Sequence, residues 1–377
     1  MANISIVLHD LRGGGAEKMM VRLANQLAEN GDNVEMILLT GGGVNKPFLS
    51  DSVTLIELNA ARTLSAFSPL RKRLKQSNPD GILSALTHVN VIASLVCASL
   101  GWLKRLSVSE RNTFSLDRKV NNGAVMKATY AIAPFIYRFL TNPVIAVSKG
   151  VADDLVDCSV VRQKDVCTAS NPVITKETLE AAKQDAKHPW LIEKEVKTIV
   201  AVGRLSDQKG FDMLIDAFSI VLNERSARLV IFGEGELRED LQNKIAQLDI
   251  TQSVDLAGYT DNPIAEIKQA DLFVLSSRFE GSPNVLVEAM SVGCKVVAFD
   301  CPSGPLEILD GGNIAPLVEY KNVPELAKAM LAELATENNQ MNRERILGAV
   351  TRYSAQNSAK EYRKLIFSQL NNYKTLG

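Results

Sequence analysis

Short apolar runs alternate with amphipathic segments along this chain, and the alternation runs its course twice. Ile4–His9 reads as a fully buried strand, Gly13-Gly14-Gly15 as a turn and Ala16–Glu29 as a helix. That helix sets Met19, Met20, Leu23 and Leu27 on one face at the 3.6-residue period. Asn33–Thr40 predicts the next strand. Three strand–helix pairs follow: Gly81–Leu86 with Val89–Leu100, Arg105–Ser109 with Val125–Phe139, and Pro143–Ser148 with Gly150–Val156. The rhythm breaks between Pro172 and Val196, where Thr175–Lys194 lacks a strong apolar face. It resumes with strands at Thr198–Val202, Arg228–Phe232, Val254–Leu256, Leu272–Ser276 and Lys295–Phe299, and ends in helices at Val323–Leu334 and Tyr353–Leu370. Continuous apolar strands separated by helices predict α/β architecture with parallel sheets covered on both faces.

A length of 377 residues exceeds what one core usually serves. The expected organisation is therefore two tandem Rossmann-like, doubly wound domains, residues 1–175 and 190–352, facing a central cleft. Residues 353–377 are expected to form a helix crossing back to the first domain. Open α/β sheets bind ligands beyond the carboxyl ends of their strands, so the cleft is the expected site. Net charge is −1, which gives no reason to expect nucleic acid, but the charge is unevenly spread. Between Leu58 and Ala152 there are 13 Lys or Arg against three acids, a local net charge of +10 that points to an anionic partner. Five scattered cysteines with no CxxC pair read as reduced, mostly buried thiols of a cytoplasmic protein. No signal-peptide pattern opens the sequence, and no apolar run reaches the roughly 18 residues of a spanning helix, so any membrane contact is expected to be peripheral.

The densest chemistry lies at Arg278-Phe279-Glu280-Gly281-Ser282-Pro283-Asn284-Val285, continuing to Glu288-Ala289. It follows a strand and opens a helix near Pro283, a residue suited to a first helical turn. The amides of Ser282 to Val285 then sit at the helix's positive end, able to bond sugar hydroxyls and attract a diphosphate. Glu280 precedes the helix and Glu288 lies inside it, so the two carboxylates reach different parts of one extended ligand. Alone, the Glu-x7-Glu spacing favours the plainer reading, Glu280 as a capping acid and Glu288 as a solvated helix residue. Upstream, the strand Thr198–Val202 runs into Gly203-Arg204, with Lys209-Gly210 five residues on, a pairing of a planar fork and a point charge suited to a diphosphate. Phe232-Gly233-Glu234-Gly235 and Leu256-Ala257-Gly258-Tyr259 end two further strands in glycine turns.

In this order, and with Ser303-Gly304-Pro305-Leu306-Glu307-Ile308-Leu309 after them, these segments resemble the donor domain of GT-B-fold family 4 retaining glycosyltransferases. Gly13-Gly14-Gly15-Ala16-Glu17, Ser109-Glu110-Arg111-Asn112 and Ala146-Val147-Ser148-Lys149 are similar to the family's N-terminal half. The resemblance implies that Arg204 and Lys209 bind the donor diphosphate and take up charge as the nucleotide leaves. It implies that Glu288 holds the ribose hydroxyls and that Glu280 and the amides at Ser282, Pro283–Asn284 and Val285 surround the donor sugar. Gly203 and Gly233 belong to the same donor-binding set, with Gly258 and Tyr259 beside the base. Gly14 and Gly15 would admit the phosphates to the main chain. His88, one of three histidines, would face the reacting centre, although a lone histidine is more often structural. Glu110 and Arg111 are candidates for acceptor contacts; Glu17 reads either as a first-turn helix acid or as an acceptor contact.

No Asp-x-Asp occurs, and no His/Cys/carboxylate cluster has metal-ligand spacing, so no metal or cofactor is expected. The expectation is metal-independent, retaining transfer of a hexose or N-acetylhexosamine from a nucleotide sugar. A UDP-sugar is the expected donor, with GDP-mannose the alternative. The expected acceptor is a glycan or a polyprenyl-pyrophosphate-linked glycan, met from the cytoplasm or the inner face of the membrane. The basic region, with the apolar stretch Tyr130–Phe139, would serve anionic lipid or the acceptor. Two other readings stay open: a nucleotide-sugar epimerase, and a non-catalytic nucleotide-binding module.

Overall fold

In the computed structural model, which describes every residue except Gly13, Asn122, Asn338 and residues 369–377, the chain forms two compact units. The first comprises Met1–Pro172 with the chain from Tyr353 onward; the second comprises Val173–Arg352.

The first unit is built on seven parallel strands: β1 (Asn3–Leu8), β2 (Asn33–Leu38), β3 (Val53–Glu57), β4 (Gly81–Ala85), β5 (Leu106–Glu110), β6 (Val144–Ala146) and β7 (Val166–Thr168). Their order is β3-β2-β1-β4-β5-β6-β7. Helices α1 (Gly15–Glu29), α2 (Phe67–Ser77), α3 (Thr87–Leu100), α4 (Phe114–Val120), α5 (Ala124–Arg138) and α6 (Lys149–Asp157) connect them. The central strands are buried almost throughout because helices cover both faces. β3 and β7 escape the sequence pattern because they are short edge strands; of β3 only Val53 is fully buried.

The second unit carries six parallel strands: β8 (Thr198–Val202), β9 (Arg228–Phe232), β10 (Val254–Gly258), β11 (Leu272–Leu275), β12 (Val296–Phe299) and β13 (Leu317–Val318), in the order β10-β9-β8-β11-β12-β13. Its helices are α7 (Lys176–Ala181), α8 (Pro189–Glu193), α9 (Phe211–Glu224), α10 (Arg238–Gln247), α11 (Pro263–Gln269), α12 (Asn284–Ser291), α13 (Pro305–Ile308), α14 (Val323–Ala335) and α15 (Gln340–Ala349). The stretch expected to link the domains is therefore part of this unit. The buried carboxylate of Glu266 fastens it by accepting from the amides of Lys187 at 3.0 Å and His188 at 3.3 Å.

The last described helix, α16 (Ala355–Ile366), returns to the first unit. Ala359, Tyr362, Ile366 and Phe367 join the core formed with Ile4, Leu23, Leu27 and Leu83. The exposed Arg363 forks onto the buried Asp32 at 2.6 and 3.1 Å. The strand orders fix where ligands can enter. Each sheet reverses direction once, between β1 and β4 in the first unit and between β8 and β11 in the second, and crevices open there at the carboxyl ends.

Candidate active site

In the second unit, the loops after β8 and β11 flank the switch point and are laced together. Lys209 Nζ donates to Glu280 Oε1 at 2.6 Å, and Ser277 Oγ donates to the same oxygen at 2.6 Å. Glu280 is buried, and its amide donates to Pro302 O at 3.1 Å. Arg278 forks onto Asp212 at 2.9 and 2.7 Å, while its amide donates to Gln208 O at 2.7 Å. Burial pushes the Asp212 carboxyl up, but the guanidinium fork outweighs it and holds the group below the usual carboxylate range. Arg204, by contrast, is exposed and makes no ion pair among the described residues. The loop thus offers one committed cation, Lys209, and one available to an incoming anion.

Glycines let these loops close on one another. Gly233 has φ +145, and a Cβ on it would fall 1.8 Å from Gly203 O. Its amide donates to Gly258 O at 2.7 Å, so the ends of β8, β9 and β10 meet without intervening side chains. A Cβ on Gly203 would itself press on the Lys209 stem at 3.2 Å. Tyr259 stands 79% exposed beyond this junction. Gly304, at φ +97, admits Pro283 so closely that a Cβ there would lie 2.3 Å from its Cδ. This contact seats Ser282 and Pro283 before α12, whose first residues are Asn284 and Val285. The helix therefore directs its opening amides and positive end at the switch point. Glu288, one turn further on, is buried.

In the first unit, β1 runs into His9 and Asp10. Arg12 grips Asp10 through its amide at 2.8 Å and its Nε at 2.7 Å. The Glu17 carboxylate folds back over Gly14, so a Cβ there would lie 1.9 Å from Glu17 Oε2, while Gly15 starts α1. Burial raises the Glu17 carboxyl, and the neighbouring Asp10 adds to the rise. At the end of β4, Leu86 adopts φ 78, a conformation bulky residues rarely take, and the chain enters α3 with Thr87 and His88. His88 lies edge-on to His9, ring centroids 4.9 Å apart. Burial, reinforced by His9, pushes the His88 imidazole down to about 4.

Glu110 and Arg111 depart from the expected acceptor role. Both are buried and committed inside the unit. Glu110 accepts from Thr87, Asn90 and Tyr137. Arg111 donates to Tyr362 OH at 2.7 Å and to Asn171 Oδ1 at 2.6 Å, fastening α16 to the end of β5. A strand end reads as a ligand-facing position, but here α3, α5 and α16 close over it. Arg278 heads the motif read from sequence but was given no role there, and Asp212 was not singled out, because the two meet only across the fold; Ser277, three residues before its partner Glu280, was missed as well. Among the described residues, no group of three or more His, Cys, Asp or Glu side chains is arranged to hold a metal ion.

Two family models match, one described as Glycosyltransferase Family 4 over residues 13–177 and one as Glycosyl transferases group 1 over residues 196–336. Among curated relatives, an uncharacterized glycosyltransferase of Methanocaldococcus jannaschii is 39% identical over 131 residues, 34% of this chain and 32% of that protein. A Campylobacter jejuni N-acetylgalactosaminyltransferase, named for an N,N'-diacetylbacillosaminyl-diphospho-undecaprenol-linked substrate, is 26% identical over 85% of this chain and 87% of its own. Among solved structures, Anabaena HepE in complex with UDP-glucose superimposes with a TM-score of 0.75 at 18% identity, covering 99% of this chain and 100% of its own. The apo form of the lipopolysaccharide outer core galactosyltransferase WaaB does so with a TM-score of 0.70 at 20% identity, covering 97% and 99%. The architecture common to them is the GT-B fold.

Proposed function

The chain belongs to glycosyltransferase family 4, and from that premise we propose that it transfers a hexose or N-acetylhexosamine from a UDP-sugar, with retention at the anomeric carbon and without a metal ion. The proposed acceptor is a glycan carried on a polyprenyl pyrophosphate. Relatives named for diphospho-undecaprenol substrates support the acceptor class, and UDP complexes of similar folds support the donor class.

The observation that carries the proposal is the β8 loop, which holds the exposed Arg204 and, five residues on, the Lys209 that pairs with Glu280 just ahead of α12. Charge develops on the diphosphate as the glycosidic bond breaks. Fixed cations and helix amides meet that charge without reorganising at the moment of reaction. In this reading Arg204 and Lys209 hold the diphosphate, and Glu280, kept in place by Lys209 and Ser277, faces the sugar hydroxyls. Glu288 takes the ribose, and Gly258 and Tyr259 flank the base. His88, which the family resemblance assigns to the reaction, is an uncharged imidazole at neutral pH. The acceptor hydroxyl attacks the face the leaving phosphate departs from, which gives retention.

The test is a donor screen by thermal shift and by NMR of the transferred product, with and without EDTA. Stabilisation by UDP-sugars, turnover unchanged by EDTA and an α-linked product from an α-linked donor are expected. Arg204→Ala should lose roughly 10²- to 10³-fold in kcat, as for removal of one electrostatic donor elsewhere. An epimerised nucleotide sugar as the sole product, or near-normal turnover of that variant, would overturn the proposal.

A further inference from the structure

Three buried side chains of the first unit converge on one carboxylate. Glu110 ends β5 and is almost wholly shielded from solvent. Tyr137 OH, from α5, donates to its Oε1, and Asn90 Nδ2, from α3, approaches the same oxygen at 3.2 Å. Thr87 Oγ1, the first residue of α3, donates to Oε2 at 3.0 Å. Asn90 is itself held by Ser84 of β4, whose hydroxyl donates to Asn90 Oδ1 at 2.8 Å, and by Ser109 O at 3.0 Å. The adjacent Arg111 turns away to Tyr362 and Asn171. The nearest acid, Asp117 on α4, is occupied by Tyr130 OH at 2.5 Å and Asn112 Nδ2 at 3.2 Å.

An acid buried with three neutral donors is an expensive way to fill a core. What it holds explains its presence. Both helix residues it grips, Thr87 and Asn90, belong to the first turn of α3, directly after the strained Leu86. A leucine stays at φ 78 only where its surroundings over-determine the turn. His88 sits between the two gripped residues and is carried by that turn to its edge-on contact with His9.

We propose that Glu110 is a positioning residue: by clamping Thr87 and Asn90 it holds the Leu86 turn that presents His88 at the switch point of the first sheet. The proposal rests on the reading that His88 lies near the reacting sugar, but the clamp can be tested apart from it. Burial pushes the Glu110 carboxyl up to about 7, with Asp117 acting in the same direction and its donors opposing. Its ionisation therefore falls near neutral pH, well clear of the His88 imidazole's own titration at about 4. Ionised Glu110 accepts from all three donors; once protonated, it must donate in turn, so that the Thr87 or Tyr137 hydroxyl reverses or its bond is lost.

Only three histidines are present, so imidazole nitrogen NMR of 15N-labelled full-length protein can follow His88 through neutral pH. In the wild type the His88 signals should inflect near pH 7, and Glu110→Gln should abolish that inflection. The same variant should lose roughly tenfold in kcat with donor KM changed by less than about twofold. Thr87→Val, which cuts one arm of the clamp and keeps the acid, should move the His88 signals and kcat in the same direction. A folded Glu110→Gln protein whose His88 signals and turnover match the wild type overturns the proposal. If that variant does not fold, unchanged His88 signals in Thr87→Val overturn it equally. Full turnover in His88→Ala would instead remove the histidine from the reaction, leaving the NMR titration to decide the clamp.

Discussion

Lys209 and Glu280 stand 71 residues apart in sequence and meet at 2.6 Å, bridging the two loops that flank the second sheet's switch point. Neither is well solvated, with side-chain exposures of 20% and 8%. Removing one leaves the other partly buried with fewer partners, a costlier state than removing both. Lys209→Ala and Glu280→Ala should each lower kcat/KM by about 10²-fold. Because the two act as one unit, the double variant should fall within a few-fold of the worse single one. Steady-state kinetics on the three variants reads this directly; losses that multiply would show that the pair is not coupled in the reaction.

Gly233 gives a sharper structural test. Its φ of +145 and the 1.8 Å approach of Gly203 O leave no room for a methyl group, and the obstacle is backbone, which cannot rotate aside. Gly233→Ala should destabilise the second unit by at least about 3 kcal/mol, combining backbone strain with overpacking. Gly311 is the control, because it also has positive φ, at +63, but nothing lies within 4 Å of a Cβ there. Gly311→Ala should cost about 1 kcal/mol. Urea unfolding midpoints of the two variants compare them.

The contrast between these glycines and Leu86 shows what could be read from the amino-acid sequence. Gly203 and Gly233 each follow a continuous apolar run, so strand and turn announce each other. The switch-point loops of the second unit were legible for that reason. Leu86 adopts a glycine-like conformation behind an ordinary leucine, and no local rule signals it. The Arg278–Asp212 fork joins residues 66 apart and becomes visible only once the β8 and β11 loops lie side by side. Glu110 was misplaced by a sound rule, that strand ends face ligands, because the covering residues Tyr137 and Asn90 come from helices whose packing the periodicity does not specify. The segment after Pro172 read as a domain boundary because Thr175–Lys194 lacks a strong apolar face; backbone bonds from Lys187 and His188 to the buried Glu266 help hold it.

His88 makes stability depend on pH in a defined sense. Its folded value lies near 4 against 6.5 when free, so between these values the unfolded chain binds more protons. The neutral imidazole's contribution is fully present above pH 6.5 and is lost as pH falls toward 4. The most this shift can contribute is roughly 3 kcal/mol. His9 is lowered as well and adds to the same slope. His88→Gln should flatten part of the decline in unfolding free energy between pH 6.5 and 4. An unchanged slope in denaturant titrations would mean that the imidazole is hydrated in the folded state.

The outer face of α5 leads to the last prediction. Val125, Ile132, Phe135 and, just past the helix end, Phe139 are 52–78% exposed and recur at three- and four-residue steps, forming one apolar stripe. Arg118, Lys119 and Lys127 are exposed near its start, within the stretch that carries +10. No helix among the described residues is long and apolar enough to cross a membrane. We expect the stripe to rest on anionic lipid, apolar side down and cations at the headgroups. Phe135 and Phe139 would each contribute about 1.5–3 kcal/mol if fully buried in the interface. Sedimentation with vesicles containing phosphatidylglycerol should pull down the wild type more than vesicles of phosphatidylcholine alone. Replacing both phenylalanines with serine should weaken binding by roughly 10²-fold, while Lys127→Glu should chiefly reduce its dependence on anionic lipid. Equal recovery with and without anionic lipid, for all three proteins, would leave the stripe to a protein partner.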